Sequence, residues 1–236
     1  MELRPFEPGY MIEVLPRLLP FLKVTLTVAF GSTVLGSLLG LLLAWAKTGG
    51  NRILKMSADI YTYAIRCTPP IVLLFIVFYG LPKLVEALFS YDLNDYERSF
   101  FAVITFTLLF GGYISEVFRA AYLAVPKGQY EAAVSVGLSP FRALLHVVFP
   151  QAAVIALPNF GNSVINILKE GALAYTIGLI DFIGRGNVII AQNFGAYALE
   201  IYLVCLIVYW LMTVVLEQCF FLTEKKLRPQ DAARLR

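Results

Sequence analysis

The sequence predicts an all-α integral membrane protein with about five transmembrane helices. Hydrophobic residues make up 59% of its 236 residues and charged residues only 15%, whereas a soluble domain carries about 25% charged residues. The mean hydropathy is +0.74. Apolar runs of the length that a helix needs to cross a bilayer, roughly 20 residues, recur along the chain. A soluble fold is therefore excluded.

Five apolar segments are the candidates for these helices, at about 24–46, 59–82, 99–118, 151–168 and 201–222. We expect the first to be retained rather than cleaved as a signal peptide, because its apolar run is longer than a typical signal core. The remaining organisation is an external N-terminal segment at 1–20, one membrane domain at 21–222 and a cytoplasmic tail at 223–236. No linker long enough to separate a second domain is present.

The distribution of basic residues predicts the orientation of the chain. Five crossings place the termini on opposite sides, and cytoplasmic loops carry the excess of Lys and Arg. Most of the 19 Lys and Arg residues fall in loops that are cytoplasmic if the N-terminus is outside. We therefore predict an external N-terminus and a cytoplasmic C-terminus. Because no basic patch is interleaved with aromatic residues, nucleic acid is not an expected partner.

The loop between the third and fourth segments has the pattern of two short helices with a bend. Residues 129–136 can form a helix that ends at Gly137, which tolerates the left-handed conformation. Ser139 suits the cap and Pro140 the first position of a second helix. Within the first helix, Ala132, Ala133 and Val136 would form a small apolar face beside Glu131. We expect this elbow to contact a cytoplasmic partner.

The same loop resembles the cytoplasmic signature of the binding-protein-dependent ABC importer permeases. That signature is Glu-Ala-Ala, three residues, Gly, nine residues and Ile-x-Leu-Pro; the chain has Glu131, Ala132, Ala133 and Gly137, followed by Val147–Pro150. Three further stretches are similar to motifs of the members for polar amino acids such as histidine, glutamine, arginine and cystine. They are Ile65–Pro69, Glu116–Tyr122 and, more altered, Leu168–Leu173.

This resemblance implies a transport function and a set of partners. The chain would be a permease domain in a bacterial cytoplasmic membrane, working by alternating access and importing a polar amino acid. Its signature residues Glu131, Ala132, Ala133 and Gly137 would dock into a separate cytoplasmic ATPase. Two ATPase subunits, a second identical or homologous permease subunit and a periplasmic or lipid-anchored solute-binding protein are implied as partners. The chain itself needs no cofactor, because ATP and magnesium belong to the ATPase.

The sequence lacks the common nucleotide-binding, metal-binding and catalytic motifs. No G-x-x-x-x-G-K-[ST] loop can cradle ATP phosphates, and HExxH, CxxC and GxSxG do not occur. The single histidine, His146, excludes a histidine-based metal cluster, so no metal site is expected. An ion-coupled carrier or channel subunit is the main alternative function, and a membrane-embedded enzyme is a third that lacks a catalytic constellation.

The fourth segment carries a row of polar residues at helical spacing. Increments of three and four place them on one face of a helix: Asn159, Asn162, Ser163, Asn166, Lys169 and Glu170. An amide row facing lipid would be costly, so this face must meet water or another helix. It predicts either a translocation pathway or interhelical hydrogen bonding with a sister subunit.

A few other residues have predicted structural roles. Arg66 lies inside the second segment and can pair with Asp59 or cap carbonyl groups near the break that Thr68-Pro69-Pro70 makes in the helix. Glu116 and Arg119, three residues apart, are expected to form an ion pair. Residues 171–199 are apolar but interrupted by glycines, which suits an interfacial or re-entrant segment.

Overall fold

The computed structural model describes residues 5–227, which form helices joined by short turns. The helices are α1 (Pro8–Leu18), α2 (Leu22–Thr48), α3 (Arg52–Cys67), α4 (Pro70–Phe89), α5 (Arg98–Ala124), α6 (Lys127–Ser135), α7 (Pro140–Ala143), α8 (Phe149–Glu170), α9 (Phe182–Gln192) and α10 (Ala198–Leu227). A π-helical turn, Leu144–Val148, joins α7 to α8, and a 3-10 helix, Gly171–Ile177, follows α8. No strand occurs between residues 5 and 227, which confirms the predicted all-α class.

Five helical stretches of the described chain are long and apolar enough to cross a membrane. They are Pro8–Thr48, Pro70–Phe89, Arg98–Ala124, Pro140–Ile177 and Ala198–Leu227. The predicted number of crossings is thereby confirmed, while the side on which each terminus lies stays a prediction. Of the predicted tail at 223–236, the first residues continue α10 to Leu227. Residues 228–236, and residues 1–4 of the predicted external segment, lie outside the described residues.

The segment predicted at 59–82 consists of two helices rather than one. α3 ends at Cys67, Pro69 takes the extended conformation with φ −57° and ψ 136°, and α4 begins at Pro70. A residue before proline is disfavoured in a helix, and proline itself is favoured at a first helical position. The Thr68-Pro69-Pro70 break is therefore confirmed, and it leaves α3 as a separate sixteen-residue helix.

The second helix of the loop at 129–150, which was predicted to be cytoplasmic, continues into the fourth membrane segment. Helical structure runs from Pro140 to Ile177, so the predicted boundary near residue 151 has no counterpart in the backbone. Pro150 lies near the start of α8, directly after the π-helical turn. The wider turn relieves the clash that a proline ring makes with the carbonyl group four residues earlier. The second loop helix and the fourth membrane segment thus form one continuous helical stretch.

Contacts divide the described chain into two compact units. The first comprises the described residues up to Val34 together with Thr68–Thr107 and Asn166–Val214. One apolar cluster there joins Val14 and Leu18 of α1 to Phe182 of α9 and Ile201 of α10. The glycine-interrupted region at 171–199 therefore contains a helix, α9, that is packed into the core of this unit.

The second unit comprises Leu35–Cys67, Leu108–Ile165 and the described residues from Val215. Small residues bring its helices close together: a side chain at Gly111 of α5 would lie 2.7 Å from Leu39 of α2. A side chain at Gly112 would lie 2.8 Å from Ile65 of α3. The ring of Phe160 in α8 packs 6.1 Å from Phe110, between centroids. α5 is thus the central helix of this unit.

Candidate functional site

The loop that carries the family signature is folded into a fixed elbow. α6 ends in a Schellman motif, in which the Gly137 amide donates to Val134 O at 2.9 Å and the Leu138 amide donates to Ala133 O at 3.2 Å. Gly137 has φ +94°, a conformation that favours glycine. Ser139 accepts a hydrogen bond from the Arg142 amide at the start of α7. The predicted bend, its glycine and its serine cap are confirmed.

The exposed surface of this elbow differs from the predicted apolar face. Glu131, Ala132 and Val136 are exposed, but Ala133 is buried at 6% exposure and is directed into the chain. Phe141, which the sequence analysis did not single out, is 71% exposed. The surface available to a partner therefore contains a carboxylate, two small or branched apolar residues and one aromatic ring.

The elbow is firmly attached to the membrane helices. Val125, Val148 and Ala152 form a buried cluster, against which Tyr122 of α5 and Tyr130 of α6 pack. The side-chain amide of Gln151 also donates a hydrogen bond of 3.3 Å from Nε2 to Oε1 of Gln129, which links α8 to α6. Because apolar packing holds both ends of the elbow, a force applied to α6 is passed to α5 and α8.

A cluster of charged residues joins α2, α3 and α5 within the second unit. The Glu116–Arg119 ion pair is confirmed, with Arg119 Nη2 lying 2.9 Å from Glu116 Oε2. Lys47, which the sequence analysis did not assign, has a side chain only 1% exposed and donates to Glu116 Oε1. It also donates to Thr62 Oγ1 at 2.7 Å and lies 3.9 Å from Asp59. The buried ammonium group is therefore fully engaged.

The position of Arg66 differs from the predicted pairing. The side chain is exposed in the last turn of α3. Asp59 is a neighbour of Lys47 instead, and among residues 5–227 no ion pair of Arg66 occurs. Seven residues of α-helix separate Arg66 and Asp59 by about 10 Å along the axis, which explains why the pairing does not form.

The polar row of the fourth segment lies largely on the surface of α8. In the second unit Asn159 and Asn162 are exposed and Ser163 is partly buried, with its hydroxyl bonded to Asn159 O at 2.8 Å. In the first unit Asn166 and Lys169 are exposed and Glu170 is partly buried. The exposed amides therefore do not serve to join helices of this chain.

An apolar cavity of about 550 Å³ lies within the second unit. Its walls come from α2, α5 and the helix that follows the elbow, and they include Trp45, Phe118, Leu144 and Phe160. Arg119 is the charged residue of the lining. This cavity suits aliphatic groups better than a polar solute.

The first unit holds a buried carboxylate that sequence patterns did not reveal. Asp181 is 1% exposed and caps α9 by accepting the Gly184 amide at 2.8 Å, while the Thr25 hydroxyl donates to its other oxygen at 3.2 Å. Burial raises the pKa of this carboxyl above its ordinary value, and the bonds from Gly184 and Thr25 partly oppose that rise. The group fastens α9 to α2.

Side chains that could bind a metal ion are not clustered in the described part of the chain. Between residues 5 and 227, no group of three or more His, Cys, Asp and Glu side chains could hold a metal ion. His146 is exposed and its Nδ1 lies 3.1 Å from Arg142 O in the loop helix.

Comparison with known proteins identifies the family. The profile of the family described as binding-protein-dependent transport system inner membrane component matches residues 36–229. The L-cystine transport system permease protein TcyL of Bacillus subtilis (strain 168) is 38% identical over 225 residues, which cover 95% of this chain and 93% of that protein. The nopaline transport system permease protein NocM of Agrobacterium fabrum (strain C58 / ATCC 33970) is 34% identical over 227 residues, covering 95% and 93%.

A solved structure has the same fold. The structure of an amino acid ABC transporter with histidines superposes with a TM-score of 0.81 at 28% identity, covering 94% of this chain and 100% of that chain. The family profile spans most of the chain, including the elbow and the helices that hold it. The chain therefore belongs to the family of binding-protein-dependent transport system inner membrane components, and it is a membrane-spanning permease subunit of an ABC importer.

Proposed function

We propose that this permease carries a polar amino acid across a bacterial inner membrane, driven by ATP hydrolysis in a separate ATPase subunit. The observation that carries the proposal is the rigid elbow, whose signature residues Glu131, Ala132 and Gly137 are exposed beside Val136 and Phe141. Relatives named for L-cystine and nopaline, and a neighbour named as an amino acid transporter, support an amino acid as cargo.

Two features of the chain support the proposed partners: it lacks a phosphate-binding loop, and it has only five candidate membrane spans among the described residues. The sequence has no phosphate-binding loop, so ATP and magnesium bind to the ATPase. A single chain with five crossings is small for enclosing a pathway, so we infer a second permease subunit. Two ATPase subunits would then dock, one at each elbow, and a solute-binding protein would deliver the cargo from outside.

The exposed amides of α8 support the pathway interpretation of the polar row. Asn159, Asn162 and Asn166 are directed away from the helices of their own chain. In a membrane such a face must meet water or a second subunit. We infer that it forms a wall of the translocation pathway where two permease subunits meet. Replacing Asn162 with Leu is expected to lower the transport rate while leaving the affinity for the ATPase unchanged.

The elbow provides the direct test of coupling. Gly137→Val forces a β-branched residue into a left-handed conformation, which costs more than the roughly 1–2 kcal/mol typical of an ordinary residue there. The matched control is Gly128→Val on the same loop, where glycine has an ordinary conformation and a side chain would meet nothing within 4 Å. We expect Gly137→Val to lose co-purification with the ATPase and cargo uptake, and Gly128→Val to keep both.

Transport assays distinguish an ATP-driven importer from the main alternative, an ion-coupled carrier. Proteoliposomes containing permease, ATPase and binding protein should accumulate radiolabelled amino acid only when ATP is supplied on the ATPase side. If the permease alone accumulates an amino acid on an ion gradient, the chain is a secondary carrier and the proposal is wrong. If Gly137→Val remains bound and coupled like Gly128→Val, the elbow is not the docking element.

A further inference from the structure

The charge-free part of α2 marks one boundary of the bilayer. No residue from Val24 to Ala46 is charged, and at about 1.5 Å per residue this run is about 34 Å long, close to the hydrocarbon thickness of about 30 Å. Because the run fills the hydrocarbon, Phe21 and Lys23, which come directly before it, lie at the level of the lipid headgroups. Phe30, inside the run, is 73% exposed and presents an apolar surface to the acyl chains.

Arg185 of α9 lies at the same level. The guanidinium carbon of Arg185 is 5.3 Å from the centre of the Phe21 ring. The next residue, Gly186, faces α10, because a side chain there would lie 3.1 Å from Ile201. Ile201 begins the charge-free part of α10, directly after Glu200. Two membrane helices, α2 and α10, therefore agree in placing Arg185 at a boundary of the bilayer rather than inside the hydrocarbon.

The guanidinium group of Arg185 has no polar partner in the described part of the chain. The side chain is partly buried, and its enclosed Nε has no hydrogen-bond partner among residues 5–227, which also give it no ion pair. Two other arginines of the first unit are engaged: Arg98 Nε donates to Ile177 O at 2.9 Å, and Arg17 is held by Glu13 at 2.7 Å. Because partly buried charged groups are normally hydrogen-bonded, the acceptor for Arg185 is expected to come from outside the chain.

The charged residues around this position leave a positive charge available. Asp181, one turn before Arg185, is the acid that could have paired with it on the same helix. Its carboxylate instead accepts the Gly184 amide and the Thr25 hydroxyl in the core of the unit, where it is 1% exposed. Lys23 is exposed at the headgroup level and adds a second positive charge. An external anion can therefore approach Arg185.

We propose that Arg185 binds the phosphate group of a phospholipid at this boundary of the membrane. The Phe21 ring positions the cation without engaging its N–H groups. A guanidinium group can then hold a phosphate through two parallel hydrogen bonds, with the acyl chains against the apolar surface of the membrane helices. Because Lys23 adds positive charge, anionic phosphatidylglycerol should bind more tightly than zwitterionic phosphatidylcholine. The inference does not depend on the identity of the cargo.

Lipid binding to the purified permease–ATPase complex is the first measurement. Native mass spectrometry gives the affinity for phosphatidylglycerol, for phosphatidylcholine and for diacylglycerol, which has the same acyl chains but no phosphate. The wild type should bind phosphatidylglycerol at least about fivefold more tightly than diacylglycerol, the change expected for one basic residue at a membrane surface. Arg185→Gln should lose this preference while binding diacylglycerol as before. The control Arg17→Gln removes an arginine that is already paired with Glu13 and should stay within about twofold of the wild type.

A second measurement locates the lipid. Phosphatidylglycerol with a photoreactive group next to its phosphate is cross-linked to the complex in nanodiscs, and the modified peptides are identified by mass spectrometry. We expect cross-links near Phe21 and Arg185 in the wild type, their loss in Arg185→Gln and their retention in Arg17→Gln. If Arg185→Gln does not assemble, Arg185→Lys carries both tests. It keeps the charge but not the two parallel hydrogen bonds, so a reduced but measurable preference for phosphatidylglycerol is expected.

Four results would overturn the inference. The first is a preference for phosphatidylglycerol over diacylglycerol that is absent from the wild type or unchanged in the Arg185 variant. The second is equal weakening of both lipids, which would indicate a merely structural role. The third is displacement of phosphatidylglycerol by an excess of inorganic phosphate, which would identify a site for a small anion. The fourth is weaker capture of the solute-binding protein by Arg185→Gln with lipid binding intact, since Arg185 would then face that protein.

Discussion

Two carboxyl groups, the buried Asp181 in the first unit and the partly buried Glu116 in the second, are stabilised in opposite ways. In the first unit Asp181 is surrounded by neutral donors, the Thr25 hydroxyl and the Gly184 amide. In the second unit Glu116 is held by two cations, Lys47 and Arg119. A carboxyl group among neutral donors can become protonated without leaving a charge unpaired, whereas the cluster around Glu116 must stay ionised. The two sites should therefore respond differently to mutation and to pH.

The largest expected effect is at Lys47. Lys47→Met leaves Glu116 with one cation instead of two and removes the hydrogen bond to Thr62. We expect the free energy of unfolding, measured by SDS titration of the protein in detergent micelles, to fall by about 3 kcal/mol. The control Lys55→Met, exposed on α3, should stay within about 0.5 kcal/mol. A loss below about 1 kcal/mol at Lys47 would mean that the cluster is not a structural anchor.

Asp181 should tolerate loss of charge but not loss of its oxygen atoms. Asp181→Leu leaves the Thr25 hydroxyl and the Gly184 amide buried without an acceptor, and is expected to cost about 1–3 kcal/mol in the same assay. Asp181→Asn keeps one acceptor and should cost less than about 1 kcal/mol. The exposed Asp95→Leu is the control. Equal losses for Asn and Leu would show that charge, and not hydrogen bonding, matters at Asp181.

The pH dependence of stability sharpens the same contrast. Because burial raises the folded pKa of Asp181, the folded protein holds the proton more tightly than the unfolded chain does. Its contribution to stability is therefore present below the unfolded pKa, about 3.9, and is lost as pH rises through the raised folded pKa. The Asn side chain does not titrate, so the Asp181→Asn variant should become more stable relative to the wild type as pH rises. A difference independent of pH would contradict this.

Local rules were sufficient to predict the elbow. Gly137, Ser139 and Pro140 each act on the backbone within a few residues, so the bend and its cap follow from sequence alone. The Glu116–Arg119 pair was predictable for the same reason, since both residues lie on one helix. The direction of Ala133 into the chain was not predictable, because it depends on how α6 is attached to α5 and α8.

Partners distant in sequence could not be read from patterns. Lys47 and Glu116 are 69 positions apart, and Thr25 and Asp181 are 156 positions apart. A lysine at the end of an apolar helix is typical of a membrane boundary, so nothing local marked Lys47 as buried. Ile65 of α3 likewise packs against Gly112 of α5, 47 positions further along the chain. Such contacts are specified by tertiary packing rather than by any local signal.

The smallest expected effect concerns Arg119, and it tests whether the two cations of Glu116 are equivalent. The Arg119 side chain is 38% exposed, whereas that of Lys47 is 1% exposed. Solvent screens an exposed pair, so Arg119→Gln should lower the free energy of unfolding by only about 0.2–1 kcal/mol. The comparison is Arg17→Gln, which breaks the more exposed Arg17–Glu13 pair of α1 and should cost still less.

A double-mutant cycle then measures how far Arg119 compensates for Lys47. In the Lys47→Met background Arg119 is the remaining cation of Glu116, so Arg119→Gln should cost more there than in the wild type. The difference reports the coupling of the two cations through one carboxylate. If the two substitutions are additive, Glu116 does not link the two cations, and the effect of Lys47 comes from its hydrogen bond to Thr62, which joins α2 to α3. A positive coupling would show that Glu116 of α5 carries the link between Lys47 of α2 and Arg119 of α5.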